Sequence, residues 1–211
     1  MRARLLASLA FFVWGIAQAS ASILYNVLTS EVAFSPSNTV HPVPYTITGP
    51  LNSVIVFETG SVPVIVGDAT PNAAATVTII YEVDARQAFP VSQITATIQG
   101  SVVDLGRIQW TEIVETLGGQ LVDQVSGSVL GGSYPGGSNG SFIITPVLNI
   151  SPALTQYRVK KIFTLDIDGA QLPSNSLASL GFVEQHAVPE PATWACLAGG
   201  IAWLLRRRRS S

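Results

Sequence analysis

Cysteine, methionine and histidine are nearly missing from this chain: one Cys, one Met and two His in 211 residues. The lone Cys196 excludes an internal disulfide, so the fold must be held by packing or bound ions. His41 and His186 lie far apart, each beside proline or near a terminus, with no Cys or His partner at metal-ligand spacing. Long apolar runs are also lacking. No stretch reaches the roughly 17 residues that a membrane-spanning helix needs. Charged residues are only 11% of the chain, well below the usual share of about 25%, and most of the basic ones sit at the two ends.

At the front, Met1–Ala21 reads MRARLLASLAFFVWGIAQASA. Arg2 and Arg4 precede an uncharged run from Leu5 to Ala17, and small residues follow. This is the three-part layout of a secretory signal peptide, read by the Sec export machinery. Cleavage fits after Ala19 or after Ala21, since both sites have a small residue two positions earlier.

At the other end, Val188–Ser211 reads VPEPATWACLAGGIAWLLRRRRSS. Ala192–Leu205 is fourteen residues, which as a helix is about 21 Å, short of the roughly 30 Å hydrocarbon core. Snorkelling arginine stems and local bilayer thinning would let it serve as a short, temporary transmembrane anchor. Trp194 and Trp203 fit the headgroup level at its two ends. Arg206, Arg207, Arg208 and Arg209 hold that end in the cytoplasm by the positive-inside rule, which leaves the body outside. Pro189 and Pro191 remove two backbone donors and push Val188 and Glu190 towards extended conformations, which a processing enzyme can grip.

The ordered set Val188-Pro189-Glu190-Pro191, then Ala192-Thr193-Trp194, an apolar run and an arginine cluster, resembles the PEP-CTERM protein-sorting signal. The resemblance covers about 24 of 211 residues. It implies processing near the Pro-Glu-Pro triplet by an exosortase, a membrane transpeptidase-like enzyme of Gram-negative bacteria. It further implies delivery to the cell surface or the extracellular polysaccharide matrix. The apolar run departs from a Leu-rich pattern at Cys196 and at Gly199-Gly200.

Between the two signals, residues 22–187 form one domain-sized body with five basic and twelve acidic side chains, a net charge of −7. Such a balance excludes a nucleic-acid partner. The body alternates with period two in several places. Val77, Ile79, Tyr81 and Val83 share one face, as do Ile94, Ala96 and Ile98, and Tyr157, Val159, Phe163, Leu165 and Ile167. Further strand candidates are 23–31, 45–48, 53–58, 62–66, 120–128, 141–150 and 178–184, punctuated by Gly, Pro, Asn and Asp. About ten strands spaced this way predict an all-β sandwich with Greek-key connections. Residues 107–117 read two ways. Trp110, Ile113, Val114 and Leu117 fit a helical stripe with Glu112 and Glu115 turned away, whereas a strand there needs a bulge near Glu112.

Catalytic signals are faint. Gly136-Gly137-Ser138-Asn139-Gly140 matches G-x-S-x-G but lacks the preceding strand and following helix of a nucleophile elbow. Asp166-Ile167-Asp168-Gly169 resembles the start of a calcium loop, yet Ala170 stands where a third ligand belongs and no bidentate Glu follows. Asp166 and Asp168 therefore read as a solvated strand end, and no metal or cofactor is expected. A glycan-cleaving enzyme would require distant acids such as Glu82, Asp84, Glu112 and Glu115 to converge in a cleft. The expected role is a surface or matrix protein, structural or adhesive in an exopolysaccharide setting. The alternative is a carbohydrate-binding module, whose aromatic platform could come only from Phe89, Trp110, Tyr134, Tyr157 and Phe182.

Overall fold

The structure, a computed structural model, describes residues 22–68, 70–86, 89–169 and 175–189. The cleavage positions Ala19 and Ala21 lie outside these residues, as do Glu190, Pro191, Trp194, Trp203, Arg206, Arg207, Arg208 and Arg209.

Thirteen strands are formed among the described residues, with one short 3-10 turn at Pro50–Asn52. They are β1 (Leu24–Ser35), β2 (Val40–Pro42), β3 (Tyr45–Thr48), β4 (Val54–Phe57), β5 (Val64–Gly67), β6 (Ala74–Asp84) and β7 (Val91–Val103). After these come β8 (Arg107–Glu115), β9 (Leu121–Leu130), β10 (Gly140–Ile144), β11 (Val147–Leu154), β12 (Gln156–Asp166) and β13 (Leu177–Pro189). One sheet has six strands in the order β2-β1-β6-β12-β8-β9. The other has seven, running β10-β7-β13-β4-β3 with β11 also on β7 and β5 also on β13. All pairings are antiparallel. The fold is the expected all-β sandwich, and most connections cross from one sheet to the other.

Alternation explains why the two sheets meet. In β6 the buried set is Ala75, Val77, Ile79, Tyr81 and Val83, while β7 contributes Ile94, Ala96 and Ile98 from the facing sheet. Their polar alternates, such as Thr76, Thr78, Thr95 and Thr97, fall on the outer faces. The extra strands have simple causes. Val40–Pro42 is a short, fully exposed edge strand without an apolar face. The 141–150 segment divides into β10 and β11 because Pro146 offers no N–H to a ladder; its carbonyl instead accepts from the Ala96 N–H at 3.0 Å.

Residues 107–117 are not a helix: β8 is a strand laddered on both sides, by β12 and by β9. Ile108, Glu112 and Val114 are buried with Trp110 on the same face, whereas Leu117 falls in the following turn. No bulge occurs near Glu112. The register against β12 is unbroken, and the only shift, against β9, lies between Val114 and Glu115. Glu112 needs no bulge because it points inward to a buried lysine, Lys161.

Among the described residues, no helix is long and apolar enough to cross a membrane.

Candidate functional site

β13 sets the geometry at the end of the body. Ala178, Leu180, Val183, Gln185 and Ala187 are buried and fix its inner face. The strand is hydrogen-bonded to β7 along its length and to β5 and then β4 on the other side, with a shift at Gly181. It continues past Ala187. Val188 stands opposite Gln93 and Pro189 opposite Val91, so Val188 and the first proline of the Pro-Glu-Pro triplet belong to the sheet. A proline fits there because the ladder shifts register between Val188 and Pro189.

Beside this strand end lies an open groove of about 510 Å³. Its walls carry Ser92 and Gln93 from β7, Asn149, Ser151 and Pro152 from β11, and Val188 from β13. Gln93 Nε2 donates to Asn149 Oδ1 at 3.3 Å, which aligns the two carboxamides. The Asn149 backbone N–H donates to Asp123 Oδ2 at 2.7 Å, tying β11 to β9 of the other sheet. Asn149, Ser151 and Pro152 are exposed, and buried Ile150 closes the base. The groove thus offers uncharged hydroxyl and carboxamide groups, able both to donate and to accept.

The four acids do not meet in a cleft. Glu82 and Glu115 converge on the outer face of the six-stranded sheet, but Arg158 lies between them, 2.6 Å from Glu82 and 3.2 Å from Glu115. Lys160 adds a second cation 2.9 Å from Glu115. The Arg158 hydrogen bond holds the Glu82 carboxyl below its ordinary range, and the Lys160 hydrogen bond does the same for Glu115. Asp84 is held low by Arg86. Glu112 is buried against Lys161.

Other flagged residues are also occupied. Arg107 lies 3.1 Å from Asp166 and 3.8 Å from Asp168, so both carboxylates face a cation. His41 is exposed on β2 with its ring edge-on to Phe34. His186 contacts Glu184 on its own strand. The glycine-rich loop is shaped by Asn139, whose Oδ1 accepts from the backbone N–H groups of Asp104 and Gly132, both at 2.7 Å. Among the described residues no group of three His, Cys, Asp or Glu side chains could hold a metal.

The five aromatic candidates do not share a face. Tyr157 is buried in the core, and Trp110 packs inward, over Gly127 of β9, where a Cβ would come within 2.8 Å of the indole. Tyr134 belongs to the glycine-rich loop and donates its hydroxyl to the Leu105 carbonyl. Phe182 lies on the opposite sheet, and Phe89 precedes β7.

Sequence reading missed Lys161, Gln185, and the pairing of Gln93 with Asn149. Strand parity held the signal for the first: Lys161 falls between Val159 and Phe163 on the inward set, and Glu112 likewise between Trp110 and Val114.

No protein-family model matches the chain, and no curated protein is significantly similar to it. Solved structures with a similar strand arrangement include a carbohydrate-binding module in complex with beta-1,4-galactotriose, at 12% identity and a TM-score of 0.34, covering 74% of this chain and 91% of that one. A xylan-binding module matches at 11% identity and 0.33, over 79% of this chain and 98% of that one. A structure of infectious bursal disease virus, Gx strain, matches at 11% identity and 0.38, over 82% of this chain and 33% of that one.

Proposed function

We propose that this chain is an exported surface protein whose β-sandwich binds a hydroxyl-rich polysaccharide in the groove beside β13. Its terminal segment directs it there, with an exosortase processing the chain near Pro189-Glu190-Pro191. The observation that carries the binding half is the groove itself. Ser92, Gln93, Asn149 and Ser151 present paired donors and acceptors without a charge, which suits sugar hydroxyls better than an ionic ligand. The role is adhesive rather than catalytic, since Glu82, Asp84 and Glu115 are each held by a cation and Glu112 is buried against Lys161, out of reach of a glycan. Recognition in this groove rests on hydrogen bonds, with Pro152 and Val188 supplying the apolar contact. Protein recovered from the cell surface, applied to a glycan array, should retain neutral polysaccharides. Retention only of charged glycans, or of none, would overturn the binding reading.

A further inference from the structure

Two buried polar pairs, Lys161 with Glu112 and Tyr81 with Gln185, lie inside the sandwich among apolar side chains. Lys161 of β12 and Glu112 of β8 are directly opposite each other in the ladder, 0% and 1% exposed. Lys161 Nζ lies 2.7 Å from Glu112 Oε1. From the facing sheet comes Gln185 of β13, 2% exposed, whose Oε1 accepts a hydrogen bond from the Tyr81 hydroxyl of β6. Tyr81 links the two halves of the cluster. It lies diagonal to Lys161 in the β6–β12 register, and after burial the Glu112 carboxylate is the next cause that raises its phenol pKa.

The leftover valences point to chemistry. Lys161 Nζ, both Glu112 oxygens and Gln185 Nε2 are buried without an aligned hydrogen-bond partner. As a purely structural element such a cluster returns little, because the cost of desolvating charges and leaving donors unmet offsets the gain from the contact. Burial also pushes the lysine pKa down, against the opposing pull of Glu112, which favours the neutral amine that acts as a nucleophile.

We propose that these residues form an intramolecular amide cross-link in which Lys161 Nζ attacks Gln185 Cδ, joining the two sheets and releasing ammonia. The Nζ–Cδ bond forms and the Cδ–Nε2 bond breaks. One proton passes from Nζ to Nε2 through the Glu112 carboxylate, so the nitrogen leaves as NH3 and no oxidant, reductant or co-reactant is consumed. The Tyr81 hydroxyl already donates to the Gln185 oxygen, which carries the developing negative charge. Packed sheets lie roughly 10 Å apart, a gap that a lysine stem from one sheet and a glutamine from the other span together. The link would supply the covalent tie that a chain with one cysteine cannot obtain from a disulfide.

The test is peptide mapping by mass spectrometry of the protein recovered from full-chain expression. The expected product is one branched species containing Lys161 and Gln185, lighter by one ammonia than its two peptides. Both residues found only in unlinked peptides would overturn the proposal. So would a Lys161–Glu112 link lighter by one water, which would make Glu112 the electrophile. The wild-type readout does not depend on any variant folding. Lys161→Met should abolish the mass deficit, and a deficit that persisted would place it elsewhere and overturn the assignment. Tyr81→Phe should slow linking roughly 100-fold, as for loss of an oxyanion donor. An unchanged rate would contradict attack at Gln185 Cδ, whose developing charge falls on the oxygen that Tyr81 holds.

Discussion

Val188 stands opposite Gln93 in the seven-stranded sheet, with Pro189 opposite Val91, so the Pro-Glu-Pro segment begins inside the folded body. β13 is bonded on both flanks, to β7 and to β4 and β5. A chain ended after Pro189 should therefore fold cooperatively. One ended after Ser176 loses the buried Ala178, Leu180 and Val183 together with both ladders, and should not. Circular dichroism with urea titration checks this, and a cooperative transition in the shorter chain would contradict the central place of β13.

Phe163 and Thr164 are neighbours on β12 that face opposite ways, Phe163 1% exposed in the core and Thr164 on the outer face. Phe163→Ala should cost about 3 to 5 kcal/mol. Thr164→Ala should stay within about 0.5 kcal/mol. A one-residue slip of register would exchange the two faces. Equal urea midpoints for the two variants would show that the register is wrong.

Stability should fall on acidification in a way that depends on Arg158. Its hydrogen bond holds Glu82 low, and Lys160 and then Arg158 hold Glu115 low. Both folded values lie below the ordinary glutamate value of about 4.3. The stabilisation is therefore fully present above that value and is lost as pH falls through the lowered ones. Arg158→Leu should flatten the drop in urea midpoint between neutral and acidic pH. The same slope in variant and wild type would contradict the role of this network, whose effect is small because the groups are partly exposed.

Maturation gives a fourth expectation. Protein at the cell surface should begin at Ser22 or Ser20 and lack Arg206, Arg207, Arg208 and Arg209, as cleavage after Ala21 or Ala19 and near the Pro-Glu-Pro triplet requires. Intact mass decides it. A surface species that still carries the four arginines would contradict processing.

Strand faces were legible because period two is a local signal, so β6, β7 and β12 read correctly from single residues. Lys161 was passed over because it is charged, although its parity with Val159 and Phe163 placed it inside. The 107–117 segment stays open in the sequence for a related reason. Trp110, Ile113, Val114 and Leu117 mimic a helical stripe over a short window, while the deciding partners, Lys161 on β12 and Gly127 on β9, are remote in sequence. The groove was not legible at all. Gln93 and Asn149 meet across 56 positions, and only the strand order brings β7, β11 and β13 together.

Titration of purified polysaccharide into the surface-recovered protein tests the central claim most directly, with the double variant Gln93→Ala/Asn149→Ala beside it. Losing two carboxamides that contact an uncharged ligand, at about 0.5 to 1.5 kcal/mol each, should weaken binding by roughly 5- to 150-fold while the melting temperature is unchanged. Equal affinity for variant and wild type, with both folded, would contradict the groove as the binding site.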